Sequence, residues 1–105
     1  MSWDISMRCN HCGTDVEDTD YTYNVAPMFV RAFKHETGIR MLNGMTGASA
    51  LPLLQAAISD MESARDVYLE MNPPNGWGSY DGALALLRRL AEWCAKRPEL
   101  TLVVS

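Results

Sequence analysis

Apolar and polar residues alternate near both ends of the chain, with the period of a half-buried β-strand. Trp3, Ile5 and Met7 alternate with polar neighbours, and a second alternation follows over residues 20–25. A polar stretch separates these two segments, so together they predict a hairpin with a generous turn. A third alternation over residues 100–104 predicts a final strand.

The residues between the strands have helical spacing. Pro27 suits the first turn of a short helix, for which Thr37-Gly38 supplies the stop. Residues 39–48 are predicted to form a connecting loop, because glycines punctuate them. Ser49 is expected to cap the next helix, since this leaves Pro52 in the first turn, where a missing amide proton costs little. The apolar stripe of that helix runs on after a kink, which leaves one helix or two as alternatives.

Ser79 is predicted to cap a last helix, from Tyr80 to about Arg97, with an unusually broad apolar face. Part of that face could be free for a second subunit, so a homodimer is one expectation. Coverage of the face by the preceding helices within one monomer explains it equally well.

The order strand, strand, helices, strand predicts an α+β fold. We expect a three-stranded antiparallel sheet, made of the N-terminal hairpin and the C-terminal strand and covered on one face by three or four helices. The 105 residues, 48% of them apolar, fit a single domain over residues 1–105.

The formal net charge of −4 disfavours a nucleic acid or an anionic membrane as partner. The sequence has no apolar run long enough to span a membrane and no secretory pattern at its start, so we expect a cytoplasmic protein. Three cysteines fit a reducing compartment better than a disulfide scaffold.

Cys9 and Cys12 could occupy adjacent corners of a tetrahedral zinc site. They provide only half of such a site, because His11, His35 and Cys94 include no second pair at ligand spacing. Cys94 is predicted to be a small core residue. An exposed turn without metal is the main alternative, and disulfide exchange is less favoured because a reactive Cys-x-x-Cys normally lies at a helix N-terminus.

No arrangement of residues indicates acid–base or nucleophilic catalysis, since neither histidine lies in a recognisable nucleophile motif. The sequence leaves enzymatic activity undecided and favours a protein that is not an enzyme.

The segment 72–81 combines prolines, glycines, two aromatic residues and hydrogen-bonding side chains immediately before the last helix. The amides at the helix start are expected to point outward and to form a seat for a phosphate or carboxylate. Aromatic rings could stack on a base, and polar side chains could bind a sugar or a base edge. The alternative is that the same residues form a turn and complete the core. The predicted ligand-binding residues are Tyr23, Asn24, Asn72, Asn75, Gly76, Trp77, Gly78, Ser79, Tyr80 and Asp81.

Four sequence elements carry a resemblance to a known group of proteins. They are the opening Ser-Trp-Asp, Thr-Tyr-Asn at 22–24, Leu-Asn-Gly-Met-Thr-Gly at 42–47 and Asn-Pro-x-Asn-Gly-Trp-Gly-x-Tyr-Asp at 72–81. Together they resemble small proteins, of no assigned activity, that are encoded by tailed phages of actinobacteria. The resemblance covers most of the chain, and the last element is its specific part. It implies a phage accessory protein in the cytoplasm of an infected bacterium, without the cysteine pair as a fixed feature.

Two functions are therefore expected. In the first, a non-enzymatic protein captures a nucleotide-like molecule, such as a host immune signal, between the Trp77 loop and the end of the second strand. In the second, Trp77 and Tyr80 act as aromatic anchors of an interaction module that inhibits or modulates a host protein. A concavity lined by these rings, Asn24 and Asn75 would favour the first function, and a flat patch would favour the second.

Overall fold

The computed structural model describes residues 2–105, and its sheet has three strands. These are β1 (Ser2–Arg8), β2 (Asp15–Thr22) and β3 (Thr101–Val104). They lie in the order β2-β1-β3 and both pairings are antiparallel, so β1 is the central strand. Three alternate residues of β1 are buried: Trp3, Ile5 and Met7.

Four α-helices accompany the sheet, which confirms the predicted α+β fold. They are α1 (Ala26–Phe33), α2 (Gly47–Ser63), α3 (Arg65–Glu70) and α4 (Tyr80–Lys96). The long apolar stripe is divided between two of them, because the chain breaks at Ala64 between α2 and α3. Among the described residues, none of these helices is both long and apolar enough to cross a membrane.

The broad apolar face of α4 is covered within one molecule. α4 packs extensively against α2, and six apolar residues along it are at most 7% exposed. The helices of one monomer therefore cover this face, as in the second of the two predicted arrangements. The homodimer stays a prediction, but the apolar face of α4 no longer supports it. The six residues are Leu84, Leu86, Leu87, Leu90, Trp93 and Cys94.

The second strand ends earlier than predicted. The Thr22 hydroxyl accepts a hydrogen bond from the Asn24 amide, and this starts a 3₁₀ turn over Tyr23–Val25. Val25 is buried, but it belongs to this turn and not to a strand. The alternation of apolar residues thus continues past the strand, which is why the strand prediction over residues 23–25 was wrong.

The start of α2 also differs from the prediction, because Thr46 is its cap and not Ser49. The Ser49 amide donates to the Thr46 hydroxyl at 3.3 Å. The two amides between Thr46 and Ser49 are bonded to distant carbonyls: Gly47 N–H donates to Leu100 O at 2.8 Å, and Ala48 N–H donates to Pro98 O at 2.9 Å. These tertiary bonds hold the helix start in place, so Pro52 lies one turn deeper than expected.

α1 ends before the predicted Thr37-Gly38 stop. Its last turn closes at Lys34, which has a left-handed backbone with φ 53°. The predicted connecting loop after it contains a 3₁₀ turn over Gly38–Leu42, which packs against α1 and β3. Ile39 and Leu42 are fully buried, so this segment is part of the core.

Candidate functional site

The loop before α4 is held against the end of β2 by Tyr21. The Tyr21 hydroxyl accepts a hydrogen bond from the Ser79 amide at 3.1 Å. Gly82, in the first turn of α4, lies so close that a Cβ there would be 2.0 Å from the Tyr21 hydroxyl oxygen. Gly78 has φ +88°, and a Cβ there would be 2.6 Å from Thr22 Cγ2. The sequence did not predict that Tyr21 holds the loop or that Gly82 allows this contact, although a glycine inside a helix pattern can have a packing reason.

The amides of Trp77, Ser79 and Tyr80 are bonded within the chain. Asn72 Oδ1 accepts from the Tyr80 amide at 2.7 Å, and Asn75 Oδ1 accepts from the Trp77 amide at 3.0 Å. The Ser79 hydroxyl accepts from an amide one turn into α4, which confirms Ser79 as the cap. The expectation of outward-pointing amides for a phosphate is therefore wrong at Ser79 and Tyr80, because side chains of the protein already occupy them.

A groove lies between the loop and the end of β2, and we call it the Trp77 groove. Trp77 and Asn75 line it from the loop side, and Asp20, Thr22 and Asn24 line it from the strand side. Its volume is about 590 Å³, which is within the range of small-molecule sites. The Trp77 side chain is 68% exposed, so its indole ring is free to stack. The structure thus brings three of the predicted ligand-binding residues together.

The lining of the groove contains one carboxylate, that of Asp20. The described residues that line it include no Lys, Arg or His. Asp20 lies opposite Asp4 in the neighbouring strand, so two carboxylates share this end of the sheet. Asn24 Nδ2 already donates to Thr22 Oγ1 at 2.8 Å, which leaves the Asn24 carbonyl oxygen for a ligand. Asn75 offers a donor instead, because its side-chain oxygen already accepts a hydrogen bond and its amide nitrogen can donate to a ligand.

Other predicted ligand-binding residues lie elsewhere or serve the loop itself. Tyr80 is 3% exposed and its hydroxyl donates to the Met61 carbonyl at 2.8 Å, so it cannot act as an anchor for a partner. Tyr23 lines a different groove, where the Arg40 guanidinium donates to its hydroxyl at 3.0 Å. Asp81 is exposed on a third part of the surface, beside α2 and α3. Three residues shape the loop itself. Asn72 accepts a hydrogen bond from it, Gly76 forms its turn, and Gly78 makes its close contact with the end of β2.

The three cysteines occupy different environments. Cys94 is buried, as predicted, whereas Cys9 is half-buried and Cys12 is exposed. Over residues 2–105, no group of three or more His, Cys, Asp or Glu side chains could hold a metal ion. The Cys9 and Cys12 thiols are therefore without further ligands in the described part of the chain, and the zinc interpretation stays a prediction.

The Trp77 groove combines a stacking surface with side chains that bind hydroxyl and amino groups. Comparison of the chain with protein-family models, with curated proteins and with solved structures gives no match. Indole stacking selects a flat ring, and the asparagine and aspartate side chains select polar groups on the edge of that ring or on an attached sugar.

Proposed function

We propose that this protein is a non-enzymatic binding protein that holds a nucleotide-like small molecule in the Trp77 groove. The observation that carries the proposal is the 68% exposure of the Trp77 side chain beside a groove of about 590 Å³. An indole this exposed contributes little to the core, and a ring stacked on it would remove apolar surface from water. Stacking of a base on an aromatic side chain is worth about 1–3 kcal/mol.

The polar side chains favour a base with an exocyclic amine and an attached ribose. The Asn75 amide nitrogen can donate to a ring nitrogen or carbonyl of the base, and the Asn24 carbonyl oxygen can accept from an amino group. Asp20 is suited to the two hydroxyls of a ribose, which both donate to a carboxylate. These three groups line one groove with the indole, so one ligand can contact all of them.

Charge decides which part of the ligand enters the groove. With the Asp20 carboxylate in the lining and no Lys, Arg or His among the described lining residues, a phosphate inside the groove would be repelled. We therefore place the base and the ribose inside the groove and any phosphate outside, in solvent.

The sequence resemblance to actinobacteriophage proteins supports a biological setting for this binding. In that setting, the protein is a phage accessory factor in the cytoplasm of an infected bacterium. By sequestering a nucleotide-derived immune signal, it would lower the free concentration of that signal without chemical conversion.

Thermal unfolding in the presence of adenosine, AMP, ADP-ribose and cyclic dinucleotides tests the proposal. A ligand at a hundred times its dissociation constant should stabilise the protein by about 2.7 kcal/mol. Trp77→Ala should weaken binding by about 5- to 150-fold, from the lost stacking. Val67→Ala, which truncates another exposed apolar residue on α3, is the matched control and should leave binding unchanged. If none of these compounds stabilises the wild type, the proposed function is wrong.

A second candidate function rests on the same exposed ring. Tryptophan is enriched among the residues that dominate protein–protein interfaces, and Trp77 lies at an exposed loop. An interaction module that inhibits or modulates a host protein would then use Trp77 as its single aromatic anchor, since Tyr80 is buried. Recovery of one host protein by the wild type, but not by Trp77→Ala, together with no response to any nucleotide, would select this function.

A further inference from the structure

The turn between β1 and β2 brings Cys9 and Cys12 together. The Cys9 carbonyl accepts a hydrogen bond from the Gly13 amide at 3.0 Å, and the Cys9 amide donates to the Thr14 carbonyl at 2.9 Å. The first of these bonds spans four residues and so defines a single turn of helix. Residues three apart in such a turn lie on the same side of it, which places Cys9 and Cys12 next to each other.

This turn is fixed to the start of β3, at the end of the sheet away from the Trp77 groove. The Asn10 side chain donates to the Glu99 carbonyl at 2.9 Å and accepts from the Thr101 hydroxyl at 2.5 Å. At the base of the turn, Arg8 and Asp15 form an ion pair at 2.9 Å. The turn is therefore held in place by contacts that do not involve sulfur.

The two thiols of the turn differ in character from the third cysteine. Cys12 is exposed, and the Thr14 side chain, followed by the Cys9 thiol, lowers its pKa to about 7. The lowered pKa favours the thiolate of Cys12, which is the nucleophilic form. Cys94 is buried, and burial raises its pKa to about 11. The chain thus contains an inert cysteine that serves as an internal control.

We propose that Cys9 and Cys12 form a reversible intramolecular disulfide by exchange with a low-molecular-weight disulfide. The Cys12 thiolate attacks one sulfur of the disulfide, forms a mixed disulfide and expels one thiolate. The Cys9 thiolate then attacks Cys12 Sγ, forms the Cys9–Cys12 bond and expels the second thiolate. The two cysteines are oxidised by two electrons and the small disulfide is reduced to two thiols. Excess small thiol reverses both steps.

This site is independent of the Trp77 groove, and it revises an expectation drawn from the sequence. Disulfide exchange was disfavoured there because a reactive Cys-x-x-Cys normally lies at a helix N-terminus. The structure supplies the same spacing on a single helical turn, which also makes the two cysteines neighbours.

The test uses the full chain, reduced and then incubated with oxidised glutathione at several ratios to reduced glutathione. The reaction is stopped with acid, and the free thiols are labelled with N-ethylmaleimide in denaturant and counted by intact mass. We expect the oxidised protein to take one label, on Cys94, and to take three labels after reduction with dithiothreitol. Peptide mapping should find the bond between Cys9 and Cys12.

Three variants separate the steps. Cys9→Ser should stop at a glutathione adduct on Cys12, because no second thiol is there to displace it. Cys12→Ser should lose the fast reaction, and Cys94→Ser should form the same disulfide as the wild type. All three are checked for folding by circular dichroism. The wild-type experiment stands even where a variant does not fold.

Two results would overturn the proposal. One is a wild type that accumulates glutathione adducts and never an intramolecular bond, at any glutathione ratio. The other is purified protein in which both thiols are protected by one equivalent of bound zinc, released by a chelator, because the pair would then be a metal ligand.

Discussion

The loop before α4 is expected to depend on Gly78 far more than on Gly76. Both glycines have a left-handed backbone, with φ +88° and +76°, so alanine is strained at either position. They differ in their surroundings. A Cβ at Gly78 would lie 2.6 Å from Thr22 Cγ2 and 2.9 Å from Val25 Cγ1, whereas a Cβ at Gly76 meets no atom within 4 Å. Gly76→Ala is therefore a matched control that contains the strain without the clash.

The expected free energies follow from these two contributions. A non-glycine residue in the left-handed region costs about 1–2 kcal/mol, and this applies to both variants. Forcing a methyl group into a packed contact costs about 1–3 kcal/mol more, and this applies to Gly78→Ala alone. We expect losses of stability of about 1–2 kcal/mol for Gly76→Ala and about 2–5 kcal/mol for Gly78→Ala.

Urea denaturation followed by circular dichroism measures both losses, with the two variants extrapolated at a common slope. The informative quantity is the difference between them, because the backbone strain cancels. Equal losses would show that the loop does not pack on Thr22 and Val25, and the close contact that shapes the Trp77 groove would then be absent in solution.

Three further outcomes are expected. Tyr21→Phe should cost about 1 kcal/mol in the same denaturation assay, because the loop loses the hydroxyl that accepts its amide. Burial, together with the hydrogen bond and charge of Asp60, raises the pKa of Tyr68 above its ordinary value of 10.0. The folded state then keeps a proton that the unfolded state releases, so stability should fall as the pH rises above 10, and Tyr68→Phe should reduce this fall. The rate of alkylation of Cys12 should be half-maximal near pH 7, whereas Cys94 should react only after unfolding.

The sheet could be predicted from sequence because only one side of its central strand is apolar. Trp3, Ile5 and Met7 are buried and their neighbours are exposed or half-buried, so period 2 is visible in the sequence. The start of α4 could also be predicted, because Ser79 is a strong cap and precedes the apolar stripe. Both signals are local, and local signals are what a single sequence contains.

The start of α2 could not be predicted from local signals. Thr46 and Ser49 are both good caps, and the position of Pro52 favours the second. The choice is made by two carbonyls about fifty residues later, Leu100 and Pro98, which accept the first amides of the helix. A bond between segments so distant in sequence leaves no pattern near either of them.

The candidate site could likewise be predicted only in part. Composition identified the 72–81 segment, but it could not distinguish Trp77 from Tyr80, since both are aromatic residues of one short segment. The fold separates them: Tyr80 belongs to the first turn of α4 and its ring faces α2, whereas Trp77 precedes the helix and faces solvent. The contribution of Tyr21 depends on the pairing of β2 with β1, which aligns its ring with Gly82.

The internal hydrogen bonds of the loop have a consequence for binding. The amides at 77, 79 and 80 are satisfied by Asn75, Tyr21 and Asn72, so the loop holds its shape without a ligand. A groove formed in advance costs little ordering on binding, and affinity then depends on the side chains that line it. Trp77→Ala should therefore lower affinity and leave the unfolding temperature unchanged, whereas Gly78→Ala should lower both. If truncation of the Trp77 side chain destabilised the free protein, the ring would be a structural part of the fold, and the argument for a ligand at this groove would lose its main support.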